Sequence, residues 1–261
     1  MEQARNFLCT ECQTPIPTGH KFCNRCGQIV PQEANNAQTT YFSDVQDPAK
    51  ARLIVVRGDG MEGLSFHLKA ESHTLGRTGQ IAFPDDRFIS PQHATFAYRD
   101  GALIVRDEGS LNGIYVRIRG TVAIAPGDMF LAGEQVFRLD GPVQGDANLV
   151  EADGTVLFTS PKQPTTFRIT QFFEGGAPGV EYGARGNVLQ IGRFDCDVNF
   201  PHDPYLSAAH CKVEEAGGGF LLTDLNSRNG TYLRVASERE LAHGDYLFFG
   251  RTLLRVESNV N

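Results

Sequence analysis

Short apolar or alternating runs, separated by Gly, Pro and Asp, fill most of the chain. In the first half they are Arg52–Val56, Leu64–Leu68, Ala102–Arg106, Gly113–Ile118, Met129–Leu131 and Gln135–Leu139. Turn signals stand between them at Gly58-Asp59-Gly60, Asp100-Gly101 and Pro126-Gly127-Asp128, and Asp-Gly between apolar runs marks a hairpin. The pattern resumes as Phe167–Phe173, Glu181–Tyr182, Val188–Ile191, Cys211–Glu215, Phe220–Asp224, Thr231–Val235, Tyr246–Phe249 and Thr252–Val256. No segment holds a 3.6-residue apolar period over about ten residues, so helices are not expected. Many short strands at roughly 8–12-residue spacing predict an all-β chain built from β-sandwiches.

The two series are copies. Leu75-Gly76-Arg77, Ser90-Pro91-Gln92-His93 and Ser110-Leu111-Asn112-Gly113 recur as Ile191-Gly192-Arg193, Ser207-Ala208-Ala209-His210 and Ser227-Arg228-Asn229-Gly230. Ser90 to Ser207, His93 to His210 and Asn112 to Asn229 are each 117 residues apart. A period that long means duplicated domains, because solenoid repeats are far shorter. The expected boundaries are a module over 1–30, a polar linker over 31–50, one sandwich over 51–141, a Gly/Pro-punctuated linker over 142–164 and a second sandwich over 165–258. Thr39 and Thr40 read as solvated linker residues, the alternative being a phosphorylation site. Val156-Leu157-Phe158 is an apolar run within the second linker, suited to packing on a neighbour.

Composition narrows the function. The chain has 261 residues and a formal net charge of −7. Neither repeat is basic, which argues against nucleic acid or an anionic membrane as the main partner. No apolar run is long enough to span a bilayer, and the N-terminus lacks a signal-peptide core. The expectation is a soluble, cytoplasmic protein. No phosphate-cradling glycine loop, metal-hydrolase motif or nucleophile elbow is present, so no enzyme is expected.

Cys9-x-x-Cys12 and Cys23-x-x-Cys26 form a metal pattern rather than a secreted disulfide framework. Four thiolates in paired knuckles suit tetrahedral Zn²⁺. Thirty residues build no core of their own, and a structural metal supplies the missing folding energy. The alternative, two redox dithiols, lacks the βαβ context of a thioredoxin-type motif. The segment resembles the small zinc-ribbon modules at the ends of many prokaryotic proteins.

The repeated constellation admits two chemistries. A Ser/His catalytic pair fits poorly, because Ser-x-x-His lies in one turn and no orienting acid is identifiable. His93 and His210 suit a bracing role, bridging backbone groups. A binding role uses every piece: Arg as a planar fork for phosphate oxygens, Ser as a hydroxyl, Asn as a clamp on an extended backbone, Gly for the turn.

The order Gly-Arg, Ser-x-x-His, Ser-x-Asn-Gly resembles the forkhead-associated (FHA) domain. The flanks extend the likeness: Phe83-Pro84-Asp85-Asp86 and Phe200-Pro201-His202-Asp203, Asp107 and Asp224, Gly127-Asp128 and Gly244-Asp245. The resemblance implies two FHA-type β-sandwiches in tandem, reading phosphothreonine peptides through loops at one end. It places Arg77 and Arg193 on the phosphate with Ser90 and Ser207, and Asn112 and Asn229 on the peptide backbone. Ser110, Leu111, Ser227 and Arg228 would line the same loops, with His93, His210, Gly113 and Gly230 bracing them. There are departures. Pro91 and Ala208 stand where a basic or polar residue is common. The first copy has Leu111 and Ile114 where the second has Arg228 and Thr231, which favours the second copy as the reader.

The expected function is a non-catalytic, phosphothreonine-binding adaptor in Ser/Thr kinase signalling, its partners a kinase or that kinase's substrates. Zinc at Cys9, Cys12, Cys23 and Cys26 would hold a docking or assembly module. Two alternatives are a regulator whose ribbon touches nucleic acid or transcription machinery, and a scaffold that binds proteins without phosphate. Cys211 is expected in the core. Cys196 is expected to be a plain small residue of the Arg193 loop, the alternative being a redox-gated site.

Overall fold

The computed structural model describes residues 7–16, 22–23, 25–29, 50–56, 62–142, 150–158, 160 and 165–258. The turn at 58–60 and Thr39 and Thr40 lie outside them, as does most of the 31–50 linker. The chain divides into two units, Met1–Pro48 and Ala49–Asn261.

In the first unit β1 (Phe7–Leu8) pairs antiparallel with β2 (Pro15–Ile16). Each CxxC forms a knuckle. The Gln13 N–H donates to the Cys9 carbonyl at 2.9 Å, and the Gly27 N–H donates to the Cys23 carbonyl at 2.9 Å. Both donors sit four residues after their cysteine with positive φ, 55° at Gln13 and 75° at Gly27, so the glycine answers a backbone need.

The second unit is all-β in its described residues. The first repeat contributes β3 (Arg52–Val56), β4 (Glu62–His67), β5 (Ser72–Gly76), β6 (Ile81–Ala82), β7 (Ala94–Arg99), β8 (Ala102–Asp107), β9 (Ile114–Arg117), β10 (Thr121–Ile124), β11 (Met129–Ala132) and β12 (Gln135–Gly141). The second repeats the series as β13 (Arg168–Phe172), β14 (Pro178–Gly183), β15 (Val188–Gly192), β16 (Val198–Asn199), β17 (Ala209–Ala216), β18 (Gly219–Asp224), β19 (Thr231–Arg234), β20 (Glu238–Leu241), β21 (Tyr246–Phe249) and β22 (Thr252–Glu257).

The strand pairing corrects the expectation of contiguous sandwiches over 51–141 and 165–258. One five-stranded sheet has the order β20-β8-β7-β5-β6, the other β10-β18-β17-β15-β16. Each therefore takes one strand from the opposite repeat. A ten-stranded sheet, β14-β13-β12-β11-β19-β9-β21-β22-β3-β4, runs through both sandwiches. At its centre β9 and β19 pair antiparallel, with Leu233 opposite Val116. The chain crosses over directly after each of these strands. Ile118 packs in the core with Phe130, Phe137, Phe167 and Leu222, whereas Val235 packs with Leu53, Phe96, Val105 and Phe249. Sandwich 1 is thus residues 51–117 closed by β20–β22, and sandwich 2 is residues 165–234 closed by β10–β12.

The exchange is physically permitted because the exchanged strands are interchangeable to the core. β10 and β20 share one burial pattern, buried only at Ile124 and Leu241. β11 and β21 bury the same alternate positions, Phe130 and Ala132 against Leu247 and Phe249. Hydrophobic periodicity specifies a strand's face and register, and here it is equally satisfied by either partner. Val150 and Val156 form an isolated bridge in the second linker. The Val156-Leu157-Phe158 run there is exposed rather than packed, Phe158 at 98 %.

Candidate functional site

Three loops meet at one end of each sandwich. The β5–β6 loop carries Arg77, the β6–β7 loop Ser90 and the β8–β9 loop Asn112. The β15–β16, β16–β17 and β18–β19 loops carry Arg193, Ser207 and Asn229. Backbone bonds join the first two loops: Arg77 N to the Ser90 carbonyl at 3.1 Å, and Arg193 N to the Ser207 carbonyl at 2.9 Å. Glycine precedes each arginine for a steric reason. A β-carbon at Gly76 would fall on the Pro91 carbonyl oxygen, and one at Gly192 on that of Ala208.

The serine loop is held to the asparagine loop by the hydroxyls. Ser90 Oγ accepts from the Leu111 N–H at 3.2 Å, and Ser207 Oγ accepts from the Arg228 N–H at 3.0 Å. Each hydroxyl hydrogen remains available to a ligand. Asn112 Nδ2 donates to the Phe88 carbonyl at 2.7 Å and Asn229 Nδ2 to the Tyr205 carbonyl at 2.8 Å. These bonds fix each carboxamide at the rim with its oxygen and second N–H unspent.

The histidines lie beneath. His93 Nδ1 accepts from the Ser90 N–H at 3.0 Å while Nε2 meets the Gly113 carbonyl at 3.0 Å; His210 does the same with Ser207 and Gly230, at 3.1 and 3.0 Å. An acceptor Nδ1 and a donor Nε2 define a neutral imidazole. Both histidines are fully buried, and burial pushes their pKa values below the usual 6.5. Neither has a serine hydroxyl as partner, so the Ser-x-x-His turn has brace geometry.

Ser110 and Ser227 depart from the expectation that they face a ligand. Both are buried, and their Oγ atoms accept from the Gly113 and Gly230 N–H groups at 3.0 and 2.9 Å. They shape the Asn-Gly turn from inside. Asp107 and Asp224 anchor these serines, with Ser110 N to Asp107 Oδ1 at 2.9 Å and Ser227 N to Asp224 Oδ2 at 3.0 Å. Thr231 is buried too and donates to Asp224 Oδ1 at 2.7 Å, so its contrast with Ile114 concerns bracing rather than ligand contact. Arg228 and Leu111 are both exposed on the rim.

A family model described as FHA domain matches residues 73–133 and 189–250. A relative named oxoglutarate dehydrogenase inhibitor, from Corynebacterium diphtheriae, is 38 % identical over 112 residues, which is 41 % of this chain and 77 % of the relative. The chain belongs to the FHA-domain family. The glycogen accumulation regulator GarA of Mycobacterium tuberculosis is 31 % identical over 121 residues, 45 % of this chain and 74 % of GarA. A solved structure titled for phosphothreonine-dependent FHA domain interactions is 32 % identical, covering 34 % of this chain and 95 % of its own, with a TM-score of 0.22. The relatives' names describe an inhibitor and a regulator, and FHA domains are binding modules. Each matched FHA segment follows a sequence repeat and so spans a crossover between sandwiches.

The exchange also puts residues of one repeat under the FHA rim of the other. A β-carbon at Gly113 would strike the Arg234 guanidinium, and one at Gly230 that of Arg117. Asp86 and Asp203 clasp the exchanged hairpins: Asp86 Oδ2 accepts from Arg251 N at 2.9 Å, and Asp203 Oδ2 from Glu134 N at 2.8 Å. Sequence reasoning gave these residues no site role, because only the folded pairing brings them near. Cys196 lies in the Arg193 loop with Sγ 3.4 Å from the Ala208 carbonyl, its pKa raised by burial and by Asp197 and Asp195. That is a protonated thiol rather than a reactive thiolate. Cys211 is in the core.

In the N-terminal unit the Sγ atoms of Cys9, Cys12, Cys23 and Cys26 all lie within 4.8 Å of one another, with Cys9–Cys26 and Cys12–Cys23 at 3.5 Å. Hydrogen bonds to the Thr14 side chain and backbone lower the Cys12 thiol to about 6, favouring the thiolate. The cluster has the donors to bind a metal. No helix among the described residues is long and apolar enough to cross a membrane.

Proposed function

We propose that the chain is a phosphothreonine-peptide-binding adaptor with two reading rims on one body, its partners a Ser/Thr kinase or that kinase's substrates. The supporting observation is Arg193. Its Nε is buried without a hydrogen-bond partner, and among the described residues its guanidinium has no carboxylate. A buried, unsatisfied cationic donor is costly and calls for an anion. Ser207 and Asn229 stand on the adjoining loops, so a phosphate on Arg193 would meet the Ser207 hydroxyl. The peptide beside it would meet the Asn229 carboxamide. Arg77, Ser90 and Asn112 repeat the set, with Arg77 exposed and without an ion pair among the described residues. Arg228 adds a second cation at the second rim, which is the stronger reader.

Zinc fits the cysteine cluster. Bonds of ~2.3 Å at a tetrahedral centre separate sulfurs by about 3.8 Å, close to the 3.5 Å pairs and inside the 4.8 Å bound. Cys9, Cys12, Cys23 and Cys26 would hold the ion as a structural centre, making the N-terminal unit a docking module.

The test uses the full chain and a degenerate phosphothreonine-peptide library with its unphosphorylated counterpart. Selected peptides are then titrated calorimetrically. A charge-assisted contact contributes ~1.5–3 kcal/mol, so Arg193→Ala weakens second-rim binding by roughly 10- to 150-fold. Equal capture of phosphorylated and unphosphorylated libraries refutes the function.

A further inference from the structure

The exchanged hairpins give the two rims opposite charge beside the peptide-holding asparagine. The turn between β21 and β22, from the second repeat, seats on sandwich 1. There Arg251 N donates to Asp86 Oδ2 at 2.9 Å, and the Arg251 guanidinium lies 4.9 Å from the Phe88 ring centroid. Phe88 is the residue whose carbonyl takes the Asn112 amide at 2.7 Å. Arg87 covers the same ring at 5.3 Å but is paired with Glu174 at 3.2 Å. Arg251 is exposed and has no ion pair among the described residues.

The equivalent place on sandwich 2 differs at both cationic positions. The turn between β11 and β12 is held by Asp203 in the same way, with Glu134 N donating at 2.8 Å. Glu134 therefore occupies the Arg251 position, Tyr205 the Phe88 position and Pro204 the Arg87 position. Contiguous sandwiches would reverse this, putting Glu134 beside Asn112 and Arg251 beside Asn229.

We infer that Arg251 reads a carboxylate flanking the phosphothreonine at the first rim, in trans from the second repeat, while Glu134 disfavours one at the second. This inference rests on the phosphothreonine reading of the rims. It assigns them different peptides: acidic-flanked phosphothreonine to the rim of Arg77, neutral or basic-flanked phosphothreonine to the rim of Arg193. It also gives the first rim, which has Leu111 where the second has Arg228, a ligand preference of its own. An exposed ion pair contributes about 0.2–1 kcal/mol, which is roughly 1.5- to 5-fold in affinity, and it fades as salt screens it.

The probes are synthetic phosphothreonine peptides whose flanks are all alanine, or carry one aspartate or one lysine at each position in turn. They are titrated into the full chain carrying Arg193→Ala, which isolates the first rim, and Arg77→Ala, which isolates the second. At the first rim, aspartate in at least one position strengthens binding about 1.5- to 5-fold over alanine. Adding Arg251→Ala removes that preference, and Arg251→Glu transfers it to lysine. At the second rim neither Arg251 substitution changes the ratios, and Glu134→Arg creates an aspartate preference. Phosphothreonine binding at the first rim with no aspartate preference overturns the inference and leaves the adaptor function standing. A preference that follows Arg251 at the second rim also overturns it, since that is the contiguous arrangement. Failure of the wild-type chain to bind any phosphothreonine peptide overturns both.

Discussion

Phe249 offers a direct test of the strand exchange. It belongs to the second repeat yet is fully buried in sandwich 1, with its ring centroid 5.6 Å from that of His93 and 5.9 Å from that of Phe96. In a contiguous arrangement it would lie against His210. Replacing a buried phenylalanine with alanine costs about 3–5 kcal/mol, a large part of a typical domain stability of ~5–15 kcal/mol. Phe249→Ala should therefore increase amide exchange in β7 and β8 by roughly two to four orders of magnitude where local opening governs exchange. The deciding assay is nuclear magnetic resonance of the imidazoles in the folded variant. Loss of an edge-on aromatic ring displaces the His93 signals and leaves those of His210 in place. Displaced His210 signals with His93 unmoved would refute the exchange, whatever the change in stability.

Two further outcomes follow from the geometry. Burial lowers both bracing histidines below 6.5, so the unfolded chain binds more protons as pH falls through that value. Stability is then full above 6.5 and is lost on acidification; a urea midpoint that falls between pH 7.5 and 5.5 agrees, and a flat profile contradicts the neutral brace. For the cysteine cluster, elemental analysis should find one zinc per chain, and Cys12→Ser with Cys26→Ser should abolish it. Chelation should erase the folded amide signals of the knuckles while the thermal transition of the sandwiches stays in place. A metal-free chain with an ordered 7–29 segment would refute the zinc centre.

The sandwich class was legible because strand alternation is a local property. Runs such as Met129–Leu131 and Tyr246–Phe249 reveal which faces are buried. Strands β10 and β20 were not legible: Glu238–Leu241 has three charged residues and buries only Leu241. They are the strands that open each exchanged segment. Which copy a strand joins was invisible too, since duplicates bury the same positions and alternation carries no information about partner identity. At the rims, the arginine, the serine of Ser-x-x-His and the asparagine could be singled out from the repeat, with roles that only the FHA resemblance implied. The inward turn of Ser110 and Ser227 could not, because a serine two residues before an asparagine looks the same whether its hydroxyl faces solvent or the glycine N–H behind it. Arg251 lies 139 residues from Asn112 in sequence, and only the exchange brings it to that rim.

The exchange also orders events during synthesis. Strands β3 to β9 leave the ribosome early but cannot complete sandwich 1 until β22, ending at Glu257, has been made. Meanwhile β10 to β12 emerge first and bear faces that fit the same vacancy. A nascent chain that closes on these nearer strands must reopen before the final pairing, and such long-range closure is slow. The first rim therefore cannot be finished until the last strand has been made, and a premature stop within the last three strands disables it despite leaving every one of its motif residues in place.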